Sequence, residues 1–175
     1  GQIGASFGLA LAEHKELVTT VGFDRHAPVA REAQKKGVVN QVKTDLEAAA
    51  RDADLVLFCL PANELLEMLR LVAPVLKDGT VLMDTAPAKA KMAEWTRELL
   101  PPGRYYVGLS PVLGPDSLQG SGGLEAARPD LFKRGMLVSS NPSGTSGEAL
   151  RLASDLAQLV GATCLYADLM EADGL

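Results

Sequence analysis

The most restrictive feature of this chain is a regular alternation. Short apolar, β-branched runs exchange with helical patterns through residue 109. The strongest run is Leu55-Val56-Leu57-Phe58-Cys59-Leu60, opened by Asp54 and closed by Pro61. It is apolar without interruption, as a parallel strand covered on both faces must be. It is therefore expected near the centre of a sheet. Alternation of this kind implies an α/β fold. A mainly parallel, doubly wound sheet carries right-handed crossovers, with helices on both faces.

Strands are expected at residues 17–23, 38–42, 54–60, 80–84, 104–109, 136–139 and 163–166. Helices are expected at 3–14, 28–36, 46–51, 62–76, 89–100, 129–132 and 147–160, with a further one starting at 169–172. Gly37 stops the second helix. Asp45 caps the third. The fourth places Leu65, Leu66, Leu69 and Val72 on one face, and Trp95 falls in the fifth. Residues 111–128 are rich in Gly, Ser and Pro. A loop of that length is either a mobile surface segment or part of a substrate pocket.

Sheets of this type bind ligands beyond the carboxyl ends of their strands. The ends of interest are Asp24, Leu60 with Pro61, Asp84 with Thr85, and Ser110 with Pro111. At the start, Gly1-Gln2-Ile3-Gly4 reads as the second half of a G-x-G-x-x-G fingerprint, with a first glycine and a first strand expected before residue 1. Gly1 lets backbone approach a pyrophosphate, Gly4 lets the helix lie close to the sheet, and the N–H groups at Gln2 and Ile3 face the phosphates. This makes the fold Rossmann-like. Asp24 follows at the offset of the acid that grips a ribose hydroxyl pair; its alternative is an N-cap for the helix near Pro28. Two acceptor oxygens suit two hydroxyls and repel a 2′-phosphate, so Asp24 favours NAD. Arg25 either stacks on adenine or meets a 2′-phosphate, which keeps NADP open. Leu60, Pro61, Thr85 and Ala86 fall on the nicotinamide side.

The 175 residues suffice for one domain with a core. A net charge of -5 opposes nucleic acid as a partner. No apolar run reaches the ~20 residues of a membrane span. Cys59 and Cys164 lie in apolar runs and read as buried free thiols in strands, which fits a cytoplasmic compartment. With His14 and His26 they form no metal-ligand spacing, so no metal site is expected. The two histidines read as surface residues near the cofactor end of the early strands.

The ordered segments "VGFDR", "DLVLFCLP", "VLMDTAPAKAKM", "YYVGLSPVLGPDS" and "PDLFKRGMLVSS" resemble the nucleotide-binding domain of prephenate and arogenate dehydrogenases of tyrosine biosynthesis. The resemblance implies an NAD(P)-dependent oxidoreductase with a small-molecule substrate. It implies that residues 1–175 are a dinucleotide-binding domain trimmed at both ends, and that a C-terminal helical domain makes the full-length protein a homodimer. The family places a histidine where this chain has Ser110. That histidine takes the ring-hydroxyl proton as hydride leaves, which an unaided serine cannot do at neutral pH. Pro87 stands where the family's D-x-G-S-V-K segment has its serine. Asp116 keeps the charge of a family acid. Lys89 either contacts substrate or cofactor or is a solvated first-turn lysine. Three functions follow: a prephenate-dehydrogenase-like enzyme, a related dehydrogenase of an imine or 3-hydroxy acid, or a nucleotide-binding module without chemistry.

Overall fold

The computed structural model describes residues 1–114 and 122–173. Its strands are β1 (Val21–Gly22), β2 (Gln41–Val42), β3 (Leu55–Phe58), β4 (Val81–Asp84), β5 (Tyr105–Val112), β6 (Met136–Ser140) and β7 (Thr163–Ala167). The helices are α1 (Gln2–Leu11), α2 (Ala27–Lys35), α3 (Leu46–Ala50), α4 (Leu65–Val72), α5 (Lys89–Leu99), α6 (Gly147–Leu159) and α7 (Leu169–Ala172). The five strands from β3 to β7 form one sheet in sequence order, and β1 pairs with β2 in a second, two-stranded sheet. Every pairing is parallel except β5 with β6.

Period-two alternation divides the core. On β4, Val81 and Met83 point into a cluster with Phe7 of α1 and Ala153 and Leu156 of α6. Leu82 points the other way, toward Leu65 and Leu69 of α4 and Met92 of α5. At β4 the sheet thus buries both faces under helices, as a doubly wound sheet requires.

β3 is not central. It stands at an edge of the five-stranded sheet, paired with β4 among the described residues. Its apolar run has a different cause from the expected one. Leu55, Leu57 and Cys59 pack toward α1 and α6, and Val56, Phe58 and Leu60 toward α4. Coverage of both faces makes the run apolar whether or not strands flank it.

Other elements differ in extent. Residues 17–23 yield only β1, because Leu17 and Val18 N–H groups turn back to the His14 carbonyl. Residues 38–42 yield only β2. The helix expected over 62–76 is α4 flanked by 3-10 turns at Ala62–Glu64 and Ala73–Val75, the second of which contains Pro74. Residues 129–132 form turns, not a helix, ending at Arg134 with φ 65°. β5 runs past Leu109 to Val112, because β6 supplies an antiparallel partner, matching Pro111 to Leu137 and Val112 to Met136. The loop therefore starts later than expected. Its residues 115–121, which include Asp116, lie outside the described residues.

Two glycines set how closely α1 lies on the sheet. A Cβ at Gly4 would stand 3.0 Å from the Cys59 Cβ, which is the packing role expected of the third fingerprint glycine. Gly8 is tighter still: a Cβ there would stand 2.2 Å from the Val38 carbonyl oxygen. Alanine normally favours a helix over glycine by about 1 kcal/mol. Here the sign reverses, and Gly8→Ala is expected to lower stability by about 1–3 kcal/mol through overpacking. The urea midpoint of the full-length protein measures it; an unchanged or raised midpoint would mean that α1 can lift without cost.

Candidate functional site

α1 starts after Gly1, its N-cap. Gly1 offers no side chain to cap it, and the first helical bond runs from Ala5 N–H to the Gly1 carbonyl at 3.1 Å. The N–H groups before Ala5 point out of the helix end, where partial positive charge favours an anion. Gly4 against Cys59 brings this end to the carboxyl end of β3. Asp24 follows β1, and its neighbour Arg25 pairs with Glu64, just beyond Pro61. Asp24 and Pro61 therefore lie on one side of the fold.

Asp24 is half-buried, and its Oδ1 accepts the His26 N–H at 2.8 Å. This is a two-residue turn, not a helix cap; the N-cap of α2 is His26 itself. Oδ1 holds the turn, and Oδ2 takes no hydrogen bond among the described residues. At the end of β4, Thr85 N–H donates to the Phe58 carbonyl at 3.0 Å, and the Thr85 side chain shares a hydrogen bond with Cys59. Burial pushes the Cys59 thiol up to about 11, so it stays protonated near neutrality. Ser110 lies on β5 two residues beyond Gly108, the residue paired with Asp84, and is half-buried.

Beneath these strand ends lies a buried polar cluster that the sequence shows only in part. Asp84 and Lys89 are fully buried. The Lys89 ammonium donates to the Asp84 carbonyl at 2.8 Å and to its Oδ1 at 3.0 Å. The Tyr106 hydroxyl donates to Oδ2 at 2.6 Å, and Ala86 N–H donates to Oδ1 at 2.8 Å. Burial lowers the Lys89 pKa, opposed by Asp84. Burial, then Asp84, raises that of Tyr106. Lys89 is thus not the solvated lysine that its first-turn position suggests. Gly108 makes the room: a Cβ there would stand 2.7 Å from Lys89 Cδ and 3.0 Å from the Tyr106 hydroxyl oxygen.

Asp173, just after α7, accepts from Lys89 N–H at 2.5 Å and from Ala90 N–H at 3.2 Å. It caps α5, whose own N-cap, Ala88, cannot. This contact joins residues 84 apart in sequence, so no local pattern could announce it. The segment 122–128 also lies over α1, through Gln2 Nε2 to the Ala126 carbonyl at 3.2 Å and Arg128 N–H to Ser6 Oγ at 3.1 Å.

Other candidates fall elsewhere. His14 is at the far end of α1, its Nε2 3.0 Å from the Leu159 carbonyl, and not at the cofactor end; His26 is exposed. Cys59 and Cys164 are free thiols, each only partly buried; Cys59 follows β3 and Cys164 lies in β7. Among the described residues, no three His, Cys, Asp or Glu side chains are grouped to hold a metal ion, and no helix is long and apolar enough to cross a membrane. A wider cleft of about 460 Å³ opens at the opposite end of the strands, beside Gly79 and Gly103. Its lining carries four carboxylates, Asp54, Asp78, Glu148 and Asp155, against one cation, Arg151, an acidic balance that suits a dinucleotide's phosphates poorly, so volume alone does not locate the site.

The doubly wound sheet, the uncapped glycine-started helix and the acid after β1 define a Rossmann-like nucleotide-binding domain. Residues 7–166 match the family model described as "Prephenate dehydrogenase, nucleotide-binding domain". The chain belongs to that family. It is 28% identical over 153 residues to a prephenate dehydrogenase of Lactococcus lactis, covering 86% of this chain and 42% of that protein. It is 35% identical over 85 residues to a 4-amino-4-deoxyprephenate dehydrogenase of Streptomyces pristinaespiralis, covering 48% of this chain and 28% of that one. The fold superposes on the Aquifex aeolicus prephenate dehydrogenase crystallised with hydroxyphenyl propionate and NAD+, with a TM-score of 0.83 at 18% identity over 98% of this chain and 58% of that one. The chain thus spans about half the length of such relatives or less.

Proposed function

We propose that the protein carrying this domain is an NAD-dependent dehydrogenase acting on a small acid of the prephenate or arogenate type. The observation that carries the reading is the gathering of the α1 N-terminus, Asp24, Pro61 and Thr85 on one side of a fold belonging to this family. The cofactor fits the residues present: a helix end without a side-chain cap suits a pyrophosphate, and the unused oxygen of Asp24 suits a ribose hydroxyl. Bound NAD would supply the hydride acceptor. The chain's own groups bind and orient. Gly1, Gln2, Ile3 and Gly4 hold phosphate, Asp24 the adenosine ribose with Arg25 against the adenine, and Leu60, Pro61 and Thr85 shape the nicotinamide side. Ser110 faces the substrate, and Lys89 works from below by fixing Asp84 at the end of β4; Asp116, outside the described residues, is assigned to the substrate by the family resemblance alone. Residues 1–175 are the dinucleotide-binding part of a cytoplasmic homodimer whose helical domain completes the substrate site.

Titrating the full-length protein with NAD and NADP tests the cofactor half. NAD should bind more tightly. Asp24→Ala should weaken NAD by about 1–3 kcal/mol, the size of a lost charge-assisted hydrogen bond. Unchanged NAD affinity in that variant would remove Asp24 from the site.

Ser110 favours a second substrate reading. Hydride loss from a carbon bearing a hydroxyl needs the hydroxyl proton to leave, which is work for a base. Hydride loss from a carbon bearing a free amine leaves a protonated imine, in which nitrogen carries the charge; the proton that the ammonium form must first lose can go to solvent before hydride transfer, so no base is needed in that step. One relative is named for such a substrate, 4-amino-4-deoxyprephenate. Faster NADH formation with that compound than with prephenate would select this reading; the reverse order would reject it.

A further inference from the structure

The adenosine end of the crevice holds more positive charge than an NAD site needs. A cavity of about 100 Å³ beside Asp24 is walled by Arg25, Arg31, Val42, Lys43 and Thr44. Arg31 and Lys43 form no ion pair among the described residues. On charge alone, three cations around one carboxylate would welcome a phosphate on the ribose 2′ oxygen. Arg25 is the member next in sequence to the ribose acid, and its charge is already paired. Its guanidinium Nη2 is paired with Glu64 Oε2, across the crevice from the loop after β1 to the turn after β3.

The two partners differ in freedom. The Glu64 side chain is 21% exposed and that of Arg25 is 51% exposed. Glu64 N–H is also tied to the Pro61 carbonyl at 3.0 Å. Glu64 is therefore the fixed end and Arg25 the movable one. We propose that Glu64 sets the cofactor preference at the ribose 2′ position by holding Arg25 off it, an assignment that rests on the dinucleotide reading above. Asp24 disfavours a 2′-phosphate by repulsion, and Glu64 withholds the cation that would compensate. Because the pair is half in solvent, it is weak enough to be undone by one substitution.

The test is calorimetric titration of the full-length protein with NAD and NADP. Glu64→Gln keeps the side chain's shape and removes its charge. It should tighten NADP about 5- to 20-fold, the scale of one charge-assisted contact to phosphate, and change NAD less than about twofold. Adding Arg25→Ala to Glu64→Gln should abolish the gain, since the gain belongs to the freed guanidinium. An unchanged NADP-to-NAD ratio in Glu64→Gln, with the wild type binding NAD, overturns this assignment alone. A gain that survives Arg25→Ala overturns it too. Failure of the wild type to bind either dinucleotide overturns the cofactor reading and this assignment together.

Discussion

Lys89→Met is expected to destabilise the protein by about 3–5 kcal/mol, the usual cost of leaving a buried charge without its partner. Domains of ordinary size hold only about 5–15 kcal/mol in total, so the loss should be plain in a urea melt. Asp84 and Lys89 have no exposed side-chain surface. Removing the ammonium strips Oδ1 of its 3.0 Å donor and the Asp84 carbonyl of its 2.8 Å donor. Tyr106 and Ala86 still donate to Asp84, but they carry no charge to balance it. Asp84→Asn with Lys89→Met should recover part of the loss, because the orphaned charge is then gone. If the double variant is no better than Lys89→Met, the cost lies in packing around Gly108 and not in charge. Tyr106 adds a pH signature. Its folded pKa is raised above its ordinary value of 10.0, so the unfolded chain ionises first as pH rises. Stability from this group is complete below that value and is lost above it. Above about pH 10, Tyr106→Phe should therefore lose stability less steeply than the wild type.

How much of this was visible in the chain depends on range. The glycines at 1 and 4, the offset to Asp24 and the Asp45 cap are local patterns, and they found a helix end, a strand end and a cap where the structure has them. Asp45 Oδ1 accepts Ala48 N–H at 2.6 Å. A continuous apolar run reports covered faces, not flanking strands, so it cannot give the rank of β3 in the sheet. The extension of β5 to Val112 was hidden because it depends on β6, whose first residue lies 24 positions on. Lys89 looked like a surface lysine because nothing near it in sequence shows that Gly108 opens space for its stem. Gly8 carries no local signal for the same reason: its constraint is the Val38 carbonyl, 30 residues away. Nor can a sequence show that Arg25 turns toward Glu64, since the contact closes a loop of 39 residues. The site's outline is local chemistry, and its charge balance is tertiary.

Turnover of prephenate or arogenate by the full-length protein should be slow, while NAD binding stays intact. A positioned general base is typically worth about 10²–10⁴-fold, and Ser110 holds the position that the family resemblance gives to one. The described neighbourhood offers no substitute. Tyr106, Gly108 and Ser110 alternate onto one face of β5, so Ser110 sits above Asp84, Lys89 and Tyr106, but these three are buried and hydrogen-bonded to one another. His14 is at the far end of α1 and His26 is exposed beyond β1. Ser110→His should therefore raise NADH formation from a hydroxyl-bearing substrate, by up to about the 10²-fold lower bound for a base that has not been positioned by selection. Position 110 is half-buried rather than closed, which leaves space for an imidazole. The rate of the variant should rise with pH through the titration of the new histidine, near its ordinary value of about 6.5, because only the neutral ring accepts a proton. Wild-type rates of ~1–10³ per second with prephenate or arogenate would show that another residue serves as base. No turnover by wild type or Ser110→His on either hydroxyl-bearing substrate, with NAD bound tightly, would point to an amine-bearing substrate or to a binding module, and rapid oxidation of an amine by the wild type would decide between those two.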